Sequence, residues 1–203
     1  QVISNFLIKQ ISDRKILSTS KERKIIEKIN IIKKNPVYVL GISAFYHDSA
    51  AALIKDGEII AAAQEERFSR IKNDRRFPLS AINFCLEKGN IQQNDLNAIV
   101  YYDNTSLTLE RMLWTFAKTV PNSQEAWLRN MPSWVKYKFF LPQLIRKKLK
   151  YNGKIFHDLH HRSHIAAAFF PSPFKKAAIL TIDGVGEWAT ASIAIGEDNK
   201  ITM

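Results

Sequence analysis

Val37-Tyr38-Val39-Leu40-Gly41-Ile42, a polar loop over 43–49, Ala50-Ala51-Ala52-Leu53-Ile54, the turn Lys55-Asp56-Gly57-Glu58, and Ile59-Ile60-Ala61-Ala62-Ala63-Gln64 together decide the fold of this chain. The three apolar runs are short and rich in strand formers, so they read as strands. Asp56-Gly57 tolerates the positive φ angles of a tight hairpin, which folds the second run back on the third. Downstream, Pro78-Leu79-Ser80 opens a helix with Ala81, Ile82, Phe84, Cys85 and Leu86 apolar, and Gly89 is placed to end it. Ala98-Ile99-Val100-Tyr101-Tyr102 reads as a fourth strand, stopped by Asp103-Asn104. Residues 106–149 have a helical, aromatic and basic pattern that Pro121, Pro132 and Pro142 are expected to interrupt. A short strand ends at Ile155-Phe156, and a further helix runs from about His160 to Phe170, where Pro171 and Pro173 stop it. Strands and helices in this succession make an α/β protein.

The strand–loop–strand–turn pattern then recurs. Ala178-Ile179-Leu180-Thr181-Ile182-Asp183 parallels Tyr38-Val39-Leu40-Gly41-Ile42-Ser43, and Thr190-Ala191-Ser192-Ile193-Ala194-Ile195 parallels Ala50-Ala51-Ala52-Leu53-Ile54-Lys55. The turns Lys55-Asp56-Gly57 and Gly196-Glu197-Asp198-Asn199 follow in each copy. A unit occurring twice implies two related α/β halves facing one another across a cleft.

Composition narrows the class. The chain has 203 residues, 46% of them hydrophobic, which is enough for a real core and excludes global disorder. Its single cysteine, Cys85, rules out an intrachain disulfide framework and fits a reducing, cytoplasmic setting. No apolar run approaches the roughly 18–20 residues that span a bilayer, so no membrane partner is expected. The net charge is +11, and the basic excess lies in residues 1–36 and 111–150, outside the motif-bearing segments. Solvated basic faces account for it, with attraction of an anionic substrate as the sharper alternative. Trp114, Trp127, Trp134, Tyr137, Phe139 and Phe140 lie among lysines but fit helix core faces equally well. No zinc-finger, RNA-recognition or Walker pattern accompanies them, so no nucleic-acid partner is expected. The Ile- and Lys-rich stretch 1–36 reads as a basic N-terminal extension ahead of a domain over 37–203. The chain begins at Gln1 and reaches Ile201-Thr202-Met203 as a strand starts, which reads as a piece of a longer protein, truncated at its C-terminus.

Chemistry concentrates in three places. Four of the five histidines lie within 157–164, in His157-Asp158-Leu159-His160-His161-Arg162-Ser163-His164. Residues four apart share a helix face, which pairs His160 with His164 and, in competition, His157 with His161. A helix starting near His160 leaves only the first pair on one face. Asp183, leaving an apolar strand at Asp183-Gly184, can supply a carboxylate as third ligand, because ligands gather outside the strand ends of open α/β sheets. Imidazoles plus a carboxylate suit a divalent transition metal, Fe2+ or Zn2+. Surface histidines at a polar helix start are the plainer reading. Second, the loop Phe45-Tyr46-His47-Asp48-Ser49-Ala50 can bring backbone N–H groups to an anion, with His47 moving a proton near neutral pH and Asp48 orienting it. A hydrogen-bonded loop without catalysis is its alternative. Third, Gln64-Glu65-Glu66-Arg67-Phe68-Ser69-Arg70 mixes charges as a self-paired surface segment does, although Arg67 or Arg70 can bind a phosphate.

Val39-Leu40-Gly41-Ile42 leading to His47-Asp48-Ser49-Ala50-Ala51, then Glu65-Glu66-Arg67-Phe68-Ser69-Arg70, then Phe77-Pro78 resemble the N-terminal part of the O-carbamoyltransferases of the NodU/CmcH type, known from nodulation-factor and antibiotic biosynthesis. His160-His161-Arg162-Ser163-His164-Ile165-Ala166-Ala167-Ala168-Phe169-Phe170-Pro171-Ser172 and Asp183-Gly184-Val185-Gly186-Glu187 continue the likeness in order, over about 37–203. The resemblance implies an actin/Hsp70-like fold of two ribonuclease-H-like halves, here the first half and the start of the second. It implies a separate C-terminal domain that makes carbamoyl-adenylate from carbamoyl phosphate and ATP. The N-terminal domain then passes the carbamoyl group to a hydroxyl of a small-molecule acceptor such as a sugar or aminoglycoside, with an iron-type metal. Carried over, His160, His164 and Asp183 match the metal ligands and His47, with Asp48, the transfer site. Glu66, Arg67 and Gly184 fall in stretches assigned to substrate binding. A fourth metal ligand is expected beyond Met203, so this chain alone should bind metal weakly and transfer little or nothing. An ATP-using sugar-kinase-like enzyme and a non-catalytic binding module of the same ancestry are the competing expectations. Metal held through His160 and His164 separates the first of these from the transferase.

Overall fold

A computed structural model describes residues 36–134 and 138–203. The basic extension expected over 1–36 lies, Pro36 apart, outside the described residues, as does Tyr137. Strands β1 (Tyr38–Ser43), β2 (Ala50–Lys55) and β3 (Glu58–Gln64) follow one another as read from the sequence, with Asp56 and Gly57 at positive φ in the hairpin. A short helix α1 (Glu66–Ser69) and helix α2 (Leu79–Gly89) lead to β4 (Ala98–Tyr101). Helices α3 (Thr105–Thr119), α4 (Gln124–Trp134) and α5 (Leu141–Leu149) precede β5 (Lys154–His157). Helix α6 (His160–Phe169) is followed by β6 (Lys176–Ile182), β7 (Ala191–Glu197) and β8 (Lys200–Thr202).

The first sheet has the order β3-β2-β1-β4-β5. β2 runs antiparallel to β1 and β3, whereas β4 lies parallel to β1, with Val39 opposite Ala98, and β5 lies parallel to β4. Alternation along β1 buries Tyr38, Leu40 and Ile42 on one face. Ala51, Leu53, Ile99 and Tyr101 extend that face, and α2 covers it with Ala81, Ile82, Cys85 and Leu86. Each fully buried Leu or Ile here contributes about 1.5–3 kcal/mol. The Cys85 thiol is enclosed, its Sγ 3.5 Å from the carbonyl oxygen of Ala51. In α5, Leu141, Ile145 and Leu149 recur every four residues and join the same core. Tyr101 and Tyr151 are buried with their hydroxyls satisfied, donating to Ala44 O at 2.6 Å and to Leu96 O at 3.3 Å.

The second sheet, β6-β7-β8, is an antiparallel meander that repeats the β1-β2-β3 arrangement. One face, through Ile179 and Ala194, packs on Ile165 and Phe169 of α6. Leu180, Ile182, Ile193 and Ile195 lie exposed on the strand positions that alternate with these.

Helix α2 does end at Gly89, with the left-handed cap one position on at Asn90, φ 50°. Two local expectations need correction. Pro132 does not interrupt α4, which continues to Trp134. Trp114, Phe139 and Phe140 are exposed rather than core, while Trp127 packs on Phe116 at a centroid separation of 4.6 Å.

The loop between β1 and β2 is fastened from outside. The amide of Phe45 donates to Arg75 O at 2.9 Å and that of Ser49 to Asp74 O at 2.8 Å, so these two N–H groups, expected to face an anion, are already used. Asp74 is itself buried and receives Nε and Nη2 of Arg76 and the Arg76 amide. The Arg76 hydrogen bonds hold its carboxyl well below the usual carboxylate range. A carboxyl depressed by folding stabilises the native state above its unfolded pKa, about 3.9, and that contribution disappears as the pH falls through the folded value. Asp74→Asn is therefore expected to lower stability by about 1 kcal/mol at pH 7. Urea unfolding should find the gap between variant and parent narrowing below about pH 4. A gap independent of pH would place its origin elsewhere than in the ionised carboxylate.

Candidate metal centre

Helix α6 begins two residues after β5, so its first turn sits at the end of the first sheet. His160 opens the helix and His164 follows one turn later on the same face. Their Nε2 atoms lie 3.1 Å apart. Asp183 leaves β6 with its amide donating to Thr190 O at 2.8 Å, which closes the loop 183–190 at its base. Its Oδ2 is 2.5 Å from His160 Nε2 and 3.3 Å from His164 Nε2, and its Oδ1 accepts the Gly184 amide at 2.6 Å. One atom from each of the three residues falls within 4.8 Å of the others. Two ring nitrogens converge on one carboxylate oxygen, a donor set of the kind that could hold a divalent transition metal. The His160 hydrogen bond keeps the Asp183 carboxyl below the usual range, which favours the ionised, ligating form.

The competing pair is drawn elsewhere. His157 ends β5 with Nδ1 3.1 Å from Asp103 O. His161 is 3% exposed and turns away from His160, its Nδ1 2.6 Å from Thr181 Oγ1. Thr181 and Ser192 face each other across β6 and β7, and their hydroxyls lie 2.6 Å apart beneath the ring. Gly186 rests on that ring: a Cβ there would come within 2.8 Å of the imidazole and 2.5 Å of Ala189 O, so the loop needs glycine for this approach.

His47 is exposed, with Nδ1 2.8 Å from Asp48 Oδ2 and its ring 4.7 Å from that of Tyr46. Asp48 holds a positive φ of 47°, which fixes the turn that joins the two side chains. The Tyr102 ring packs edge-on against that of His160 at 5.4 Å. Burial, with Asp103, Tyr46 and Glu187 adding to it, pushes the Tyr102 phenol up, so it stays neutral.

The remaining residues assigned from the sequence are spread out. Glu66 accepts the Asn73 amide at 3.0 Å and pairs with the exposed guanidinium of Arg67 at 3.2 Å. Gly184 is exposed beside the Asp183 carboxylate with open space around its Cα. Glu65 is buried, contrary to the surface reading of its segment, and accepts the amides of Ser80 and Ala81 at the start of α2. Glu187 and Tyr102 also border the centre, and no spacing rule marks either one. Lys138 and Asp103 form a buried pair at 3.5 Å, with the Lys138 ammonium above the Tyr46 ring.

Cobalt(II) titrated into the chain and followed by its visible absorption is expected to saturate at one ion per chain. His160→Ala and Asp183→Asn should each weaken binding roughly tenfold or more, whereas Arg162→Ala, between the ligands on the exposed side of α6, should leave it unchanged.

A family model described as the carbamoyltransferase N-terminus matches residues 38–203. An uncharacterized protein of Synechocystis sp. is 44% identical over 173 residues, 81% of this chain and 28% of that protein. Nodulation protein NolNO of Sinorhizobium fredii is 34% identical over 163 residues, 78% of this chain and 22% of that protein. An uncharacterized protein of Methanocaldococcus jannaschii is 27% identical over 157 residues, 77% of this chain and 24% of that protein. The chain spans about a quarter of the length of these relatives. Among the described residues, no helix is long and apolar enough to cross a membrane.

Proposed function

The chain belongs to the carbamoyltransferase family, with its match in that family's N-terminal part, and we propose that it carries the transfer half of a metal-assisted O-carbamoyltransferase. The donor is carbamoyl-adenylate, formed from carbamoyl phosphate and ATP in a C-terminal domain, and the acceptor is a hydroxyl of a sugar or other small molecule. The observation that carries this reading is the convergence of His160, His164 and Asp183 on one point in a chain of this family. A sugar-kinase-like phosphotransferase has no use for such a triad, which weighs against that alternative. The repeated meander, β1-β2-β3 and β6-β7-β8, supports two related halves of actin/Hsp70-like type.

His160, His164 and Asp183 would hold a divalent ion, Fe2+ or Zn2+. When bound, such an ion supplies Lewis-acid polarisation of the carbamoyl carbonyl. The protein's own residues do the rest. An alcohol is a weak nucleophile and needs a base as it attacks. His47 takes the hydroxyl proton at Nε2, and Asp48, on Nδ1, holds the tautomer and steadies the imidazolium that forms. The acceptor oxygen bonds to the carbamoyl carbon, the bond from that carbon to the adenylate oxygen breaks, and AMP departs. The exposure of His47, whose side chain is 62% accessible, leaves its ring open to an incoming hydroxyl.

In the complete protein, His47→Ala is expected to reduce carbamoyl transfer about 100-fold or more while carbamoyl-adenylate still forms. Product analysis that separates AMP from the carbamoylated acceptor reads both steps. Undiminished carbamoylation of the acceptor by this variant would remove His47 from the role.

A further inference from the structure

Helix α6 starts without a side-chain cap of its own. Its cap position is Leu159, which has no side-chain acceptor, so the first amides of the helix need one from outside. Glu187 provides it from the loop after β6. Its Oε1 accepts the amide of His160 at 2.8 Å and also the amide of Asn104 at 3.0 Å. Asn104 is in turn the cap of α3, its Oδ1 accepting from Ser106 and Leu107. One carboxylate, 6% exposed, therefore sits where two helix starts meet, and both present the positive ends of their dipoles to it.

The same carboxylate lies four residues after Asp183 on a loop with little freedom. Asp183 is tied to Thr190 at the base, and Gly186 rests on the His161 ring. Displacing Glu187 shifts the His160 backbone at one end and the Asp183 loop at the other. We propose that Glu187 is the positioning residue of the candidate metal centre, setting the distance between the His160 imidazole and the Asp183 carboxylate through its bonds to the His160 and Asn104 amides. This inference rests on the metal centre proposed above and adds a determinant outside the three ligands.

Three variants of the chain test it with cobalt(II) as the probe. Glu187→Gln retains an oxygen of the same reach, Glu187→Asp withdraws the carboxylate by one methylene, and Glu187→Ala removes it. Glu187→Ala and Glu187→Asp are expected to weaken cobalt binding about tenfold or more and to change the position or intensity of the ligand-field bands. Glu187→Gln should stay within about threefold of the parent with unaltered bands, because the hydrogen bonds matter rather than the charge. Circular dichroism and thermal melting establish that each variant is folded, and if Glu187→Ala is not, the Asp and Gln pair decides. Parent-like affinity and bands in Glu187→Asp overturn the inference, as does a Glu187→Gln variant as weak as Glu187→Asp. A parent chain that binds no cobalt through His160 and Asp183 brings down the metal-centre reading itself, and with it this inference, which is a different result from either of those.

Discussion

The amides at the start of a helix have no partner inside it, and in this protein two of the helices that shape the molecule meet that demand with buried carboxylates from distant segments. Glu65 closes the start of α2 through the Ser80 and Ala81 amides, and Glu187 closes the start of α6 through His160. Neither helix has a side-chain cap of its own, since Pro78 and Leu159 occupy the cap positions. A buried carboxylate is tolerated only with such partners, and these amides are poor neighbours for anything but an acceptor. The arrangement fixes α2 against the first sheet and α6 between the two sheets. The placement of the histidines follows from the second of these.

Much of the architecture is legible in local sequence because it rests on local physics. Alternation and the Asp56-Gly57 turn specify the β2–β3 hairpin without reference to the rest of the chain. The second meander is readable for the same reason, from the pattern it shares with the first. Pro132 and Glu65 are misleading: α4 runs on past the proline, and the role of Glu65 depends on partners far along the chain. Glu65 looks like part of a charged surface run, yet its carboxylate finds amides fifteen and sixteen residues away.

The candidate site divides along the same line. His160 and His164 are paired by the four-residue repeat of a helix, and Asp183 by its place at a strand end, so the triad is visible as a pattern. Choosing His160 and His164 over His157 and His161 required the position at which the helix begins. The shell around the triad is tertiary. Tyr102 reaches His160 from the end of β4, and Glu187 reaches the same residue from a loop 27 residues further on. Residue type alone marks neither of them. The partnership of His47 with Asp48 is legible because the two are adjacent.

Cys85 lends itself to a different use. It is the chain's one cysteine, and its sulfur is sealed between α2 and the first sheet. A thiol reagent can reach it only when that contact parts. With reclosing faster than modification, the labelling rate divided by that of a free thiol gives the equilibrium for exposing the interior. The molecule thus carries a single chemical gauge of its own breathing, located in the unit that the candidate site is built upon and requiring no added probe.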